Sequence, residues 1–306
     1  MPTDLLCLGG SSVDLILRVP RMPRRDEKML AEFVGRAAGG LVANAACAAA
    51  RLGLRTGWAG VLGGDEDGRI LRDEFAAFGV DDSLAAARSR PEGISDFTVI
   101  LLDPSGERAI LVVPTLAALP PLDNGLLSAL RETRAVYTLP YAPGWFAEVA
   151  SATHAAGGLV AADVESTSPT TGSELRAIIA QSDLVFCNRR GLALAAGEDD
   201  PATGAKTLLG TGPGCVVVTL GADGAWAFVP SQSVHVRGHR VPVADTTGAG
   251  DCMHAAFMKG WLAGWPLDRT LKFANAAAAL SVQQVGARAG YPTKTEVETF
   301  LASQPA

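Results

Sequence analysis

The sequence predicts an α/β fold: a doubly wound, mostly parallel sheet with helices on both faces, plus a small β-sheet lid. Short apolar runs alternate with longer helical patterns along most of the 306 residues. Such runs, apolar at every position, are typical of strands buried on both faces of a parallel sheet. One region instead contains two β-rich runs around a turn. We therefore expect a single domain over residues 1–306, with lid strands inserted at about residues 14–37 and 97–113.

The composition excludes several classes of protein. Hydrophobic residues make up 48% of the chain, and 26 basic against 32 acidic residues leave a net charge of −6. This acidic balance predicts that the chain has no nucleic-acid partner. The five cysteines are scattered with no C-x-x-C pair, which disfavours a zinc ribbon or disulfide framework and favours a reducing, cytoplasmic setting. The sequence has no run of about 18 apolar residues and predicts no membrane span.

The apolar runs and the 3.6-residue patterns place the main elements. A helix is predicted over residues 41–52 and is closed by Gly53, and a second helix is predicted over residues 69–78. Strands of the main sheet are predicted at residues 5–8, 58–62, 135–139, 159–162, 184–187, 215–220 and 225–229.

The lid is predicted from two pairs of short β-rich runs. Residues 97–102 and 108–113 flank a turn at 103–107 that contains Pro104 and Gly106, a hairpin pattern. Residues 15–19 and 29–34 bracket a segment rich in proline and charge. The alternative is that these runs are edge strands of the main sheet.

The motif that carries chemistry is Asp-Thr-Thr-Gly-Ala-Gly-Asp at residues 245–251. It follows a strand-like run at 241–243 and precedes an amphipathic run at 252–262. Backbone N–H groups and the helix dipole make such a helix N-terminus an anion hole. A carboxylate in that first turn is awkward beside a phosphate, which suggests that Asp251 is a base for an attacking hydroxyl. The alternative is a helix cap.

This motif resembles the C-terminal signature of the ribokinase-like (PfkB) family of carbohydrate kinases. Other segments resemble further family motifs: Ala-Gly-Gly at 38–40 followed by Asn44, Gly-Asp-Glu-Asp-Gly at 64–68, Thr-Leu-Gly at 219–221 followed by Gly224, and Phe-Ala-Asn-Ala-Ala at 273–277. The resemblance implies an ATP-dependent phosphotransferase acting on a hydroxymethyl group of a sugar or sugar derivative. It also implies Mg²⁺ as cofactor and a homodimer formed through the lid.

The resemblance assigns roles to individual residues. Asp251 would be the base, and the backbone of Gly248, Ala249 and Gly250 would hold the transferring phosphoryl group. The ATP site would contain Asn188, Thr219, Gly221, Gly224, Thr247 and Asn275. The sugar site would contain Ser12, Asp14, Gly39, Gly40 and Asn44. A monovalent cation, K⁺, is expected near Asp245 and Thr247.

Two positions depart from the family pattern. Family members often carry Asn-x-x-Glu to organise Mg²⁺, but here Asn188 is followed three residues later by Gly191. Mg²⁺ would then depend on ATP oxygens, water and other carboxylates such as Asp163 or Glu165. Ser12 stands where many relatives have Asn, two residues before the sugar-binding Asp, so we expect the sugar contact to differ.

The substrate is left open by the sequence. Residues 191–193 and 286–292 resemble the bacterial ketose and sulfofructose kinase branch. A phosphate or sulfonate on the substrate would need a basic contact. Arg18, Arg36 and Arg108 of the lid are candidates for it, although solvated lid charges are the simpler interpretation.

Two alternatives to a sugar kinase also remain. One is a nucleoside kinase of the same family, since Phe33, Phe97 and Trp145 could stack on a base. The other is a catalytically silent ligand-binding homologue. His254 is expected to be a packing or capping residue.

Overall fold

The computed structural model describes residues 3–86, 89–104, 108–116, 119–166, 168 and 170–304. Its strands are β1 Leu5–Leu8, β2 Ser12–Arg18, β3 Glu32–Gly39, β4 Thr56–Ala59, β5 Phe97–Leu102, β6 Arg108–Val113, β7 Ala135–Thr138, β8 Leu159–Val164, β9 Leu184–Asn188, β10 Cys215–Thr219, β11 Ala225–Val229 and β12 Gln232–Val236. Its α-helices are α1 Leu41–Arg51, α2 Glu66–Phe78, α3 Ser83–Ala86, α4 Asn124–Glu132, α5 Pro143–Ala155, α6 Gly172–Ile179, α7 Arg189–Ala196, α8 Pro201–Leu209, α9 Ala249–Leu262, α10 Leu267–Ser281 and α11 Lys294–Ser303.

The main sheet has eight strands in the order β12-β11-β10-β9-β8-β7-β1-β4. Neighbours from β10 through β4 pair in parallel, and β11 and β12 add an antiparallel edge. All four residues of β1 and of β7 are buried, as expected for strands covered by helices on both faces. The predicted fold class is confirmed.

The lid is a separate four-stranded sheet in the order β3-β2-β5-β6. Its outer pairs are antiparallel and its central pair, β2 with β5, is parallel. The alternative of edge strands in the main sheet is therefore wrong. The strand predicted at 29–34 lies later, at Glu32–Gly39, because its ladder pairs Ser12 with Gly39. Residues 105–107 of the predicted hairpin turn lie outside the described residues.

Elsewhere in the chain, one predicted strand is shifted and one does not form. The strand predicted at 58–62 is β4, Thr56–Ala59, because Thr56 pairs with Leu5 at the start of β1. Residues 241–243 do not form a strand. The backbone that follows them bonds to a helix end instead: the N–H groups of Ala244 and Asp245 both donate to the carbonyl of Val282.

Small side chains let helix α1 approach helix α9 closely. Most of the buried residues of α1 are alanines with no exposed area, and both helices belong to the largest apolar cluster. Close packing of this kind fixes the relative position of polar groups carried by the two helices. Within the described residues, no helix is both long and apolar enough to cross a bilayer.

Candidate active site

Two cavities lie on either side of the N-terminus of α9. The first, here called the lid cavity, has a volume of about 330 Å³ and is bounded by the lid sheet, α1 and the start of α9. The second, here called the β10 cavity, has a volume of about 390 Å³ and is bounded by the end of β10, the start of β11, α9 and α10. The segment 246–250 contributes residues to both cavities, so it forms the wall between them.

The structure sorts the predicted site residues between these two cavities. The β10 cavity is lined by Asn188, Thr219, Gly221, Gly224, Ala249, Gly250 and Asn275. The lid cavity is lined by Ser12, Asp14, Gly40, Asn44, Thr247, Gly248 and Asp251. Thr247, which the family resemblance assigns to the ATP site, lies on the lid side, while its neighbour Thr246 lines the β10 cavity. Gly39 does not line the lid cavity, and its carbonyl accepts a hydrogen bond from the hydroxyl of Ser11, which does.

Gly248 shapes the wall between the cavities. Its φ of 77° lies in the left-handed region, and a Cβ there would come within 2.3 Å of the carbonyl oxygen of Ala287. Only glycine both adopts this left-handed conformation without strain and lacks a Cβ that would clash with Ala287. The first intrahelical bond of α9 runs from the N–H of Cys252 to the carbonyl of Gly248. The preceding N–H groups belong to the first turn, where helical partners are lacking and an anion can be bound.

Asp251 is buried in the first turn of α9 and faces the lid cavity. Its Oδ2 accepts a hydrogen bond of 2.8 Å from Nδ2 of Asn44. Burial raises the pKa of Asp251 to about 7, and the charges of Asp163 and Glu165 add to this, whereas Asn44 and His254 oppose it. The carboxyl group is therefore near its midpoint at neutral pH, which suits a general base.

A buried arginine orients the amide of Asn44. Nε of Arg288 donates to Oδ1 of Asn44 at 2.9 Å, and its Nη2 donates to the carbonyl of Gly39 at 2.8 Å. With its oxygen held by Arg288, the amide must present its NH₂ group to Asp251. The sequence does not predict this role, because Arg288 and Asn44 are 244 residues apart and no local motif connects them.

A second buried group lies behind Asp251. The hydroxyl of Tyr137 donates to Asp163 at 2.7 Å and lies 3.0 Å from Nδ1 of His254. Burial lowers the pKa of His254, but the adjacent Asp163 carboxylate outweighs this and the net direction is upward. The ring of Phe186 stacks on His254 with centroids 4.5 Å apart. His254 thus packs beneath the site, and it contributes to the charge that Asp251 experiences.

The position of the missing glutamate is explained by close backbone packing. A Cβ at Gly191 would lie 1.8 Å from the carbonyl oxygen of Val164, so no side chain fits there. Another carboxylate occupies the same neighbourhood: Nδ2 of Asn188 donates to Oε2 of Glu165 at 2.6 Å. Oδ1 of Asn188 accepts from the N–H of Gly191 and caps α7. Within the described residues, no group of three or more His, Cys, Asp or Glu side chains is arranged to hold a metal ion.

The Asp245 carboxylate holds the loop before α9, residues 244–248, in place through hydrogen bonds. Its Oδ1 accepts from both the N–H and the hydroxyl of Thr247, and its Oδ2 accepts from the N–H of Gly286. Nη1 of Arg108 lies 3.7 Å from this carboxylate and donates to the Thr247 hydroxyl at 2.8 Å. The monovalent cation near Asp245 and Thr247 stays a prediction.

Comparison with known proteins gives one consistent result. The model of a family described as pfkB family carbohydrate kinase matches residues 2–294. The chain is 29% identical to the ATP-dependent ribose-1-phosphate kinase of Halopiger xanaduensis, and the match covers 98% of each chain. It is 28% identical to the 5-dehydro-2-deoxygluconokinase of Shouchella clausii, over 98% of this chain and 96% of that protein.

The same likeness is seen among solved structures. The ribokinase of Arabidopsis thaliana, complexed with ribose and ATP, superposes with a TM-score of 0.87. Its sequence is 25% identical, and the superposition covers 99% of this chain and 100% of that one. The expectations of a ribokinase-like fold and of an ATP-dependent carbohydrate kinase are thereby confirmed. Because the family match spans nearly the whole chain, the protein belongs to the pfkB family of carbohydrate kinases.

Proposed function

We propose that the protein transfers the γ-phosphoryl group of ATP to a hydroxymethyl group of a sugar or sugar derivative, with Asp251 as the base. One observation carries this proposal: the N-terminus of α9 separates the lid cavity from the β10 cavity, and Asp251 is on the lid side. A sugar hydroxyl in the lid cavity and a phosphate chain from the β10 cavity would meet at that helix end.

The chemistry follows from this arrangement. The Asp251 carboxylate accepts the proton of the sugar hydroxyl while the oxygen of that hydroxyl forms a bond to the γ-phosphorus. The bond from that phosphorus to the bridging oxygen breaks, and ADP leaves. The N–H groups of residues 248–250 and the dipole of α9 stabilise the negative charge on the equatorial oxygens. The protein does not need to form a covalent intermediate, since phosphoryl transfer depends mainly on positioning and charge stabilisation.

The β10 cavity suits the adenosine part of ATP. Aliphatic side chains that include Val243, Ala279 and Val282 line it, and a purine can lie flat between such groups. Nδ2 of Asn275 donates to the carbonyls of Val236 and Arg237, which fixes the loop that closes the cavity.

Glu165 is our proposal for the carboxylate that organises magnesium. Mg²⁺ supplies neutralisation of the β- and γ-phosphate charges when it is bound with ATP. It prefers oxygen ligands and keeps several waters, so one or two nearby carboxylates are sufficient. Glu165 is oriented by Asn188, the residue that starts the family's Asn-x-x-Glu pattern, and Gly191 leaves no room for the usual glutamate.

A homodimer through the lid is the proposed assembly. Phe33 of β3 and Leu111 of β6 leave 60% and 52% of their surface exposed. β3 and β6 are also the two edges of the lid sheet, with unpaired backbone groups. A second copy would cover both the apolar side chains and the edges.

The two alternative functions receive less support. Among the described residues, none of the aromatic side chains considered for stacking on a base, Phe33, Phe97 and Trp145, lines the lid cavity. Trp145 donates its indole N–H to Pro120 instead. The aromatic residue that does line the lid cavity is Tyr141, so the three residues considered for stacking give no support to a nucleoside acceptor. A silent homologue would have no need of the Asn44 contact that orients Asp251.

The proposal is tested by measuring ADP release with Mg-ATP across sugars and nucleosides, with Asp251→Asn beside the wild type. We expect kcat to fall by about 10²–10⁴ in the variant, since the base is lost. Binding of a non-hydrolysable ATP analogue, followed by calorimetry, should be unchanged. Turnover in the variant equal to that of the wild type would exclude Asp251 as the base.

A further inference from the structure

We propose that the phosphoryl acceptor is an uncharged sugar, carrying no phosphate, sulfonate or carboxylate group. This inference rests on the proposed function and narrows its substrate class. The lid cavity contains three carboxylates, Asp14, Asp96 and Asp251, while no lysine, arginine or histidine lines it among the described residues. An anionic sugar placed there would face the Asp96 carboxylate together with Asp14 and Asp251, which are partly ionised at neutral pH because burial raises their pKa values to about 6 and about 7. The nearest cations, Arg108 and Arg288, are already bonded to protein groups.

Two lid arginines have partners away from the cavity. Nη1 of Arg18 bonds to Glu32 at 2.8 Å, and Arg18 stands exposed at the far end of β2. Arg36 bonds to Asp67 of α2 at 2.9 Å. Each charge is thus balanced by a neighbouring carboxylate outside the lining, and neither is positioned to receive a phosphate or sulfonate on the sugar.

The other two arginines near the cavity are held outside its lining. Arg108 donates to the Thr247 hydroxyl and lies beside Asp245, so its charge is directed at the loop before α9. Arg288 is only 4% exposed, and its bonds to Asn44 and to the carbonyl of Gly39 place it behind the cavity wall. Nη1, the remaining guanidinium nitrogen, is also buried and has no hydrogen-bond partner among the described residues, so it is not presented to the cavity.

The lining instead matches a neutral polyol. Carboxylates accept hydrogen bonds and donate none when ionised, so Asp14 and Asp96 suit sugar hydroxyl groups. Asp96 is held in place by the N–H groups of Thr115 and Leu116, which donate to its Oδ1. On the lid side, Ile100, Ile110 and Val112 present an apolar surface to the C–H face of a sugar ring.

The experiment compares uncharged and anionic sugars in two measurements on the full-length protein. Calorimetry in the presence of a non-hydrolysable ATP analogue measures binding, and ADP release with Mg-ATP measures turnover. The panel pairs D-ribose and D-fructose with ribose 1-phosphate, fructose 1-phosphate and gluconate. We expect at least one neutral sugar to bind about 100-fold more tightly than every anionic sugar, because like charges placed next to one another at a binding site are disfavoured.

A charge introduced into the lining provides the matched test. Val112 is 69% exposed and lines the cavity, so Val112→Arg adds a cation without disturbing the core. We expect this variant to bind the anionic sugars at least about 10-fold more tightly than the wild type does. Val112→Gln, which adds a polar side chain of similar reach without charge, should not.

The outcomes separate this inference from the proposed function. Binding of an anionic sugar as tightly as any neutral one would overturn the inference, even if ADP release confirmed a kinase. Failure of every neutral sugar to bind would also overturn it. Selective binding of a neutral sugar without ADP release in any reaction would support the inference and contradict the proposed function.

Discussion

At the scale of single residues, the reactivity of Asp251 depends on contacts that reach across the whole chain. Asn44 is 207 positions away and donates to the carboxylate, and Arg288 is 244 positions from Asn44 and holds its amide. A hydrogen bond to the ionised form lowers a carboxyl pKa, while burial raises it. The balance leaves the pKa of Asp251 at about 7.

This balance predicts the pH dependence of the reaction. The active form of Asp251 is the carboxylate, so kcat/KM should rise with pH through about 7 and level off above it. Asn44→Leu removes the donor to the carboxylate and should raise its pKa, moving this acid limb up by about one pH unit. Arg288→Met should move it in the same direction by less, and Arg288→Lys should partly restore it.

Ser11→Ala serves as the matched control for the pH profile. It removes a hydrogen bond to the carbonyl of Gly39 in the same cavity wall but has no contact with Asp251. Its acid limb should coincide with that of the wild type. A limb that stays in place in Asn44→Leu would show that another group controls the profile.

Glu165 leads to a prediction about magnesium. Glu165→Gln keeps an oxygen that can accept from Asn188 but removes the negative charge. The Mg²⁺ concentration needed for half-maximal binding of a non-hydrolysable ATP analogue should rise about 10-fold, as is common when a supporting carboxylate is lost. Calorimetric titrations at several Mg²⁺ concentrations measure this. Glu174→Gln, an exposed carboxylate in α6, should behave as the wild type, and an unchanged Mg²⁺ requirement in Glu165→Gln would remove Glu165 from the magnesium site.

At the scale of elements, the N-terminus of α9 depends on two glycines with different functions. Gly248 needs its left-handed backbone and has no space for a Cβ, whereas nothing described lies within 4 Å of a Cβ on Gly250. Gly248→Ala should lower the free energy of unfolding by about 2–4 kcal/mol, since both strain and overpacking oppose it.

Gly250→Ala is the comparison for that prediction. Alanine is the better helix former, so this variant should be as stable as the wild type or up to about 1 kcal/mol more stable. Urea unfolding followed by circular dichroism measures both variants. Equal stability of Gly248→Ala and Gly250→Ala would mean that the loop before α9 adapts freely.

The elements also show what sequence patterns could and could not predict. Strands buried on both faces, such as β7 and β9, were predicted to within a residue because continuous apolar runs define them. The lid strand β3 was placed too early, since half-exposed strands lack such a run and their ends depend on pairing with β2. Residues 241–243 have the composition of a strand but bond to no sheet. Val241 and Val243 line the β10 cavity instead of pairing with another strand.

At the scale of the whole molecule, the apolar outer surface of the lid predicts the oligomeric state. Leu111 pairs with Val99 on the face of the lid opposite to Ile110 and Val112, which line the cavity. If two copies cover this face, the protein should have the mass of a dimer by light scattering at micromolar concentration. Leu111→Lys should shift it towards the monomer because a buried lysine without a partner is costly.

Val285→Lys is the control for the oligomeric state. It replaces another exposed aliphatic side chain, outside the four lid strands. Its mass should equal that of the wild type. A monomeric wild type, or a Leu111→Lys variant that stays dimeric, would contradict the lid interface.

The site as a whole divides into parts that sequence could and could not predict. Residues of the motifs at 245–251 and 219–224 line the two cavities beside the N-terminus of α9, and their roles in binding and catalysis stay predictions. Arg288 and Tyr137 were not predicted as site residues, and Asp163 was predicted only as a carboxylate near Mg²⁺, since their contacts join distant segments. No local spacing encodes such contacts.

The close approach of α7 to the end of β8 also limits how this protein can change over evolutionary time. With a carbonyl oxygen 1.8 Å from where a Cβ at Gly191 would stand, a single substitution cannot restore the glutamate that many relatives carry. The backbone of α7 at residue 191 would first have to move away from the backbone of β8 at residue 164. Positions 165 and 191 should consequently covary across homologous sequences, with an acidic residue at one and a small residue at the other. In this protein the carboxylate bonded to Asn188 comes from the end of β8, and a homologue with a glutamate at 191 would need a wider spacing between α7 and β8.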